Sequence, residues 1–219
     1  MTRIFMLPLL LVFFALSTGA QENTPEVFRF SLGTATQARY NEVTRTLAEH
    51  PVVKGTFTQT RTLGRMNRTL LSGGNFIIAA GTGMVWDTRT PFPSVMAVGR
   101  DYIVQSTPRG TRTRLEARGN ETFLSLADTI SAVFTGDAHR LRENFDNYFT
   151  ESGGRWFLGL IPKEQAVRTF AAQITMNGDS VIRTIILREQ SGDTIRYELS
   201  GHSFPEGLTP DEKALFSVE

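Results

Sequence analysis

Apolar and polar residues alternate in short runs through most of this chain, and a glycine or a proline closes nearly every run. Such runs span Val53 to Thr62, Leu71 to Ala79, Met84 to Thr88, Val95 to Val98, Tyr102 to Ser106 and Thr111 to Ala117. A period of two is the mark of a strand that buries one face. Gly81-Thr82-Gly83, Pro91-Phe92-Pro93 and Pro108-Arg109-Gly110 break the runs at intervals suited to an antiparallel meander. A second series occupies Tyr148 to Glu151, Arg155 to Ile161, Phe170 to Met176, Val181 to Glu189 and Thr194 to Ser200, with turns at Ser152-Gly153-Gly154, Asn177-Gly178-Asp179 and Ser191-Gly192-Asp193.

Helical spacing occurs in two places. Tyr40, Val43 and Leu47 keep the three-and-four rhythm of an amphipathic helix, read as Ala35 to Glu49 and stopped by Pro51. Phe123, Leu126, Ala127, Ile130, Val133 and Phe134 form a second stripe that ends at Gly136, and Asp137 to Asn147 continues in a more polar style. Residues 21 to 36 read as a loose lead-in. Eleven strands, a leading helix and a central helical insertion, with no linker or repeat between them, define one α+β domain built on a curved antiparallel sheet.

Residues 1 to 20 add a destination. Arg3 precedes an apolar run from Ile4 to Leu16, and Ser17-Thr18-Gly19-Ala20 suits signal peptidase. That run falls short of the roughly 20 residues a membrane-spanning helix needs, so export with cleavage after Ala20 is expected, and residues 21 to 219 form the mature domain. The chain has no cysteine, hence no disulfide, thiolate ligand or lipid-modified cysteine, and its stability rests on the core. Removing Arg3 from 23 cationic residues leaves 22, against 22 acidic ones, because residues 1 to 20 hold no carboxylate. A mature net charge of zero gives no support to nucleic-acid binding, which works by neutralising phosphates.

Catalytic groups are sparse. His50, His139 and His202 are the imidazoles available, and Gly201-His202-Ser203-Phe204-Pro205 lacks the second glycine and the following helix of a nucleophile elbow. Gly81-Thr82-Gly83 leads into a strand and so reads as a turn, not a phosphate cradle. No carboxylate and histidine spacing matches a zinc or calcium site. The expectation is a binding protein with no enzymatic activity, cofactor or metal. Sixteen phenylalanines against four tyrosines suit a dry core and an apolar ligand cavity equally well. On alternation, Phe76 and Ile78 share one face, as do Met84 and Trp86, and the 123 to 134 stripe could cover them as a lid.

Phe57-Thr58-Gln59, Gly74-Asn75-Phe76, Trp86, the Thr90-Pro91 to Ser94 segment, Phe157-Leu158 with Pro162-Lys163, the late Asn-Gly hairpin and, loosely, Thr209-Pro210-Asp211 with Phe216 resemble the periplasmic lipoprotein-carrier family LolA. The resemblance implies an open, unclosed β-barrel covered by helices, a terminal strand region around Phe216, and a monomeric carrier of acylated lipoproteins. An inner-membrane ABC transporter would load it and an outer-membrane acceptor would unload it. It also implies a lipid cavity lined from the strands by Phe57, Phe76, Ile78, Met84, Trp86, Val104 and Phe157, and from the lid by Phe123, Leu126, Ile130, Val133 and Phe134. The family's strand-end arginine that latches the lid is replaced by Ala79-Ala80, with Arg89 further along as a candidate substitute. Another acylated or glycolipid cargo, or a lipid-sensing regulatory protein of the same fold, stays open beside the lipoprotein carrier.

Overall fold

Consecutive hairpins account for nearly all of the backbone pairing. A computed structural model describes residues 26–99, 102–107, 110–116, 132 and 137–217. The first meander comprises β1 (Val52–Leu63), β2 (Arg68–Ala79), β3 (Gly83–Thr90), β4 (Ser94–Val98), β5 (Tyr102–Ser106) and β6 (Arg112–Glu116). The second comprises β7 (Phe145–Ser152), β8 (Arg155–Pro162), β9 (Gln173–Gly178), β10 (Ile182–Arg188) and β11 (Thr194–Ser203). The pair β1 and β11 joins them into one antiparallel sheet of order β6-β5-β4-β3-β2-β1-β11-β10-β9-β8-β7. Its first and last strands do not pair with each other, so the barrel is open, as expected.

The inner face carries the main core. Phe57, Phe76, Ile78, Met84, Trp86, Val98, Phe149, Trp156, Leu158, Leu160, Ile174, Met176, Ile185 and Leu199 form one continuous buried cluster. Burial of each such side chain stabilises the fold by roughly 1.5–3 kcal/mol. Helix α1 (Thr34–Ala48) adds Tyr40 and Val43 to this cluster, and α2 (Ala138–Asn144) adds Leu141. The Asp137 carboxylate accepts from the backbone N–H groups of His139 and Arg140, capping α2 at its start. Tyr40 Oη donates to Asn147 Oδ1 at 2.9 Å, and Asn147 Nδ2 donates to the carbonyls of Leu141 and Phe145. One amide side chain thus ties α1, α2 and β7 together.

A smaller cluster, Val85, Ala97, Val104 and Phe216, lies on the outer face. The C-terminal segment covers it through helix α4 (Pro210–Ala214), which Thr209 and Glu212 start with a reciprocal capping box. Lys54 on β1 pairs with Glu212. The terminal region around Phe216 is therefore a helix lying across the sheet, where the family resemblance had implied a strand.

Three further expectations are corrected. Helix α3 (Gln165–Phe170) stands before β9, so the strand expected from Phe170 begins at Gln173. The expected lead-in contains a 3₁₀ turn, Val27–Arg29, with Val27 fully packed at 2% exposure. Helical structure expected through Asn147 stops at Asn144, because Phe145 already pairs with Pro162. The 123 to 134 stripe lies outside the described residues except for Ala132, which is helical and buried in the inner cluster. Among the described residues no helix is long and apolar enough to cross a membrane.

Candidate functional site

Register decides which side chains share the inner face. Val98 pairs with Met84, Met84 with Ile78 and Ile78 with Val53; one row along, Met96 pairs with Trp86, Trp86 with Phe76 and Phe76 with Gly55. The next row runs from Thr88 through Gly74 to Phe57 and Leu199. By alternation, the inner positions from Val53 to Phe57 on β1, from Gly74 to Ile78 on β2 and on all of β3 to β6 carry no ionisable side chain. This half of the sheet presents an uncharged wall in which large apolar side chains are joined by Thr88, Ser94, Gln105 and Thr113.

Two glycines shape the wall. A Cβ on Gly55 would stand 2.7 Å from the Phe76 ring and 2.6 Å from the Ser200 carbonyl oxygen, so only glycine lets that ring lie flat on β1. Gly74, facing Phe57 across the pair, leaves space beside it, and its own Cβ would strike the Asp87 carbonyl oxygen at 1.9 Å. The freed area is filled by rings. Trp86 lies 4.5 Å from Phe57, 6.0 Å from Phe76 and 5.2 Å from Tyr197, centroid to centroid, distances at which aromatic pairs attract beyond their buried area. Burial pushes the Tyr197 phenol up to about 12, with the Arg61 charge acting in the opposite direction.

Phe57, Phe76, Ile78, Met84 and Trp86 therefore meet on the inner face. Val104 does not: Ile103 pairs with Val98 and faces inward, so Val104 turns to the outer cluster under Phe216. Phe157 also faces away, because its neighbours Trp156 and Leu158 belong to the inner cluster. On Phe157's side of β8 the 3₁₀ turn lies so close that a Cβ on Gly159 would meet Val27 at 2.8 Å. Phe123, Leu126, Ile130, Val133 and Phe134 lie outside the described residues. Ile103, Tyr197 and Leu199 are inner-face residues that the sequence reading missed. Counting parity outward from Trp86 would have found Ile103 only if the β4 to β5 register were known.

Where α1 ends, the wall opens into a pocket of about 20 Å³ lined by Leu47, His50, Val53, Phe76, Ile78, Leu199, His202 and Phe204, with Ser180, Val181 and Ile182 at its side. That is room for about one water. His50 stacks on Phe204 at 4.0 Å, and His202 meets the Phe76 ring edge-on at 5.7 Å. The His202 Nδ1 is buried without a hydrogen-bond partner among the described residues. Burial pushes the His202 imidazole below its ordinary value, and the Arg183 charge adds to the effect. His202 and Ser203 are successive residues of β11 and point to opposite faces, so the imidazole cannot activate that hydroxyl. Arg89 is exposed and bonds to Asp87 on its own strand, and it holds no helix among the described residues.

An unclosed sheet with an apolar concave wall, crossed by helices at the α1 end, defines the class: an open half-barrel of the lipoprotein-carrier type. The chain belongs to the LolA family; the sequence profile described as outer membrane lipoprotein carrier protein LolA matches residues 49–215. Among solved structures, the chain is similar to a LolA superfamily protein, NE2245 from Nitrosomonas europaea, at 10% identity and a TM-score of 0.47, covering 84% of this chain and 97% of that one. It is likewise similar to a DUF1329 family protein from Desulfovibrio piger at 10% identity and a TM-score of 0.47, covering 83% and 97%. Similarity to LprF from Mycobacterium bovis stands at 7% identity and a TM-score of 0.37, covering 83% and 99%. No functionally curated protein matches the chain.

Proposed function

We propose that this chain is an exported, non-enzymatic carrier that shields the acyl chains of lipoproteins against the inner face of its half-barrel and moves them between the two membranes of the envelope. The observation that carries the reading is the inner face of β1 to β6, where from Val53 to Phe57, from Gly74 to Ile78 and along β3 to β6 large apolar side chains alternate only with glycine and with uncharged polar residues such as Thr88, Ser94, Gln105 and Thr113. Each buried CH₂ is worth roughly 0.8 kcal/mol, so an acyl chain leaves a bilayer only for a comparably dry container. A pocket with room for one water holds no acyl chain. Loading at this pocket would require its walls to part, a change between two states of one protein.

Residues 1 to 20 would act as the export signal and place residues 21 to 219 in the periplasm as a soluble monomer. An inner-membrane ABC transporter would supply the cargo and an outer-membrane acceptor would take it. Among the described residues Arg89 bonds only to Asp87, and α1 is held to β7 by packing, by the Tyr40 to Asn147 bond and by the Arg39 to Glu151 pair. The same apolar face also suits another acylated cargo, such as a glycolipid.

Mass spectrometry of the protein purified from its native envelope should find acyl-bearing molecules bound in stoichiometric amounts. Met96 is an inner-face residue still 38% exposed, so Met96→Glu should place a charge on the wall while leaving the core intact. The expected result is loss of at least ten-fold in affinity for a pyrene-labelled palmitoyl chain, with less than about 0.5 kcal/mol change in stability, as for a surface substitution. Native protein that purifies free of lipid, together with a Met96→Glu variant that binds the probe as tightly as wild type, would overturn the reading.

A further inference from the structure

The far end of the β1 and β2 hairpin differs from the rest of the surface. Residues 60–63 of β1 pair with 68–71 of β2, and β11 stays beside β1 as far as Thr62, but β3 joins β2 only from Gly73, so the outer edge of β2 is left unpaired along this end of the hairpin, the arm. Met66 at the tip is 67% exposed, Leu70 50% and Leu71 64%. Phe92, 82% exposed, sits in the loop just past the Gly73 to Thr90 pair, at the base of the same arm. Leu70 and Leu71 are successive strand residues and so point to opposite faces. The arm is greasy on both sides.

Its charge is one-sided. From His50 to Trp86 the chain holds Lys54, Arg61, Arg65 and Arg68 and no Asp or Glu. The acids that reach this end from neighbouring elements are already engaged: Glu189 and Asp193 of the β10 to β11 turn pair with Arg61, and Asp193 also accepts from the Gly64 N–H. Asp87 pairs with Arg89. Arg65 and Arg68 are exposed and form no ion pair among the described residues.

We propose that this arm is a docking element for an anionic membrane surface, with Met66, Leu70, Leu71 and Phe92 entering the headgroup boundary and Arg65 and Arg68 bonding to lipid phosphates. A flat protein partner would cover one face of the arm and leave the other Leu in water. A bilayer boundary surrounds it. Long cationic side chains beside apolar ones also match that boundary, since their stems lie in the oily layer while the charged heads remain with the phosphates. The site lies at the opposite end of β1 from the pocket lined by His50 and Val53, and is remote from it.

Sedimentation of the full mature protein with vesicles tests this. Phosphatidylethanolamine vesicles containing phosphatidylglycerol should bind it, and binding should fall steeply as salt rises. Pure phosphatidylcholine should bind it much more weakly. Neutralising one arginine near an anionic surface costs about five-fold in partitioning, so the double variant Arg65→Gln with Arg68→Gln should lose on the order of 25-fold. The variant Leu71→Ser with Phe92→Ser should lose binding that salt cannot restore, and Met66→Trp should show a blue-shifted emission on anionic vesicles alone. All of these should retain the palmitoyl probe as wild type does, which separates failure here from failure of the carrier reading. Equal binding to both vesicle types, or indifference to all of these changes, would overturn the proposal. So would a concentration-dependent dimer in the absence of lipid that Leu71→Ser abolishes, which would assign the arm to a second copy of the chain.

Discussion

Gly55 shows how much of the inner wall depends on a missing side chain. Its Cβ would collide at once with the Ser200 carbonyl, which is fixed by pairing, and with the Phe76 ring, which is boxed in by Trp86. Neither can yield cheaply. Gly55→Ala should therefore cost about 1–3 kcal/mol, the usual range for overpacking, seen as a lower urea midpoint with unchanged slope. An unaltered midpoint would mean that the ring is free to move. His202 makes a different prediction. Its imidazole is held below the ordinary value of 6.5 by burial and by Arg183, so the unfolded chain binds a proton more readily than the folded one. Stability must then fall as pH drops below about 6.5 and stop falling below the folded value. Burial acts to raise the Glu212 carboxyl, but Lys54 and the Thr209 cap outweigh it and hold the group below its ordinary value; its contribution is lost only below the ordinary carboxylate range. A melting-temperature decline between pH 7 and pH 5 that His202→Gln removes is the expected outcome. A decline of equal slope in the variant would assign it to other groups.

At the level of elements, α1 is pinned to β7 by an exposed Arg39 to Glu151 pair and by one part-buried contact, Tyr40 to Asn147. Tyr40→Phe keeps the ring against Phe149, 5.9 Å away, but leaves the part-buried Asn147 Oδ1 without its tyrosine donor. The expected cost is about 1–3 kcal/mol, accompanied by faster amide exchange along α1 than in β8. The strands of both meanders and helix α1 were legible from sequence because each buries one face, and burial of one face writes a period of two or of 3.6 into the chain. Helices α3 and α4 left no such trace. With 6 and 5 residues they complete too few turns to show a stripe, and they form because Val167 and Phe216 find the sheet. Face assignment failed for a related reason. Val104 and Phe157 are as apolar as any wall residue, but which way they point depends on strand register and on what covers the outer face, and alternation within one strand fixes neither. Phe57, Phe76, Ile78, Met84 and Trp86 came together because the short breaks between β1, β2 and β3 leave little freedom in register.

Taken as a whole, the molecule buries the inner face of both halves in one apolar cluster. Over β7 to β10, Tyr40, Val43, Leu141 and Trp156 fill the space between sheet and helices. Where the halves meet, His50 and Phe204 stack across the pocket from opposite walls, one following α1 and the other following β11. Any widening of that pocket must part these rings. No hydrogen bond joins the two side chains, so the stack can open at modest cost and close again, as a carrier needs on each cycle. Because the chain contains no cysteine, introducing His50→Cys with Phe204→Cys gives a single pair of thiols that a short bifunctional reagent can bridge. Bridged protein should keep its fold and its melting transition, yet take up the palmitoyl probe at least 100-fold more slowly than the same variant left unbridged. A reagent that can be cleaved should restore uptake. If bridged and free protein load at the same rate, the passage for cargo lies elsewhere, and the hinge would have to be sought at the β6 edge of the sheet. If bridging speeds uptake, the stack is a barrier to a partly open form and not the gate itself.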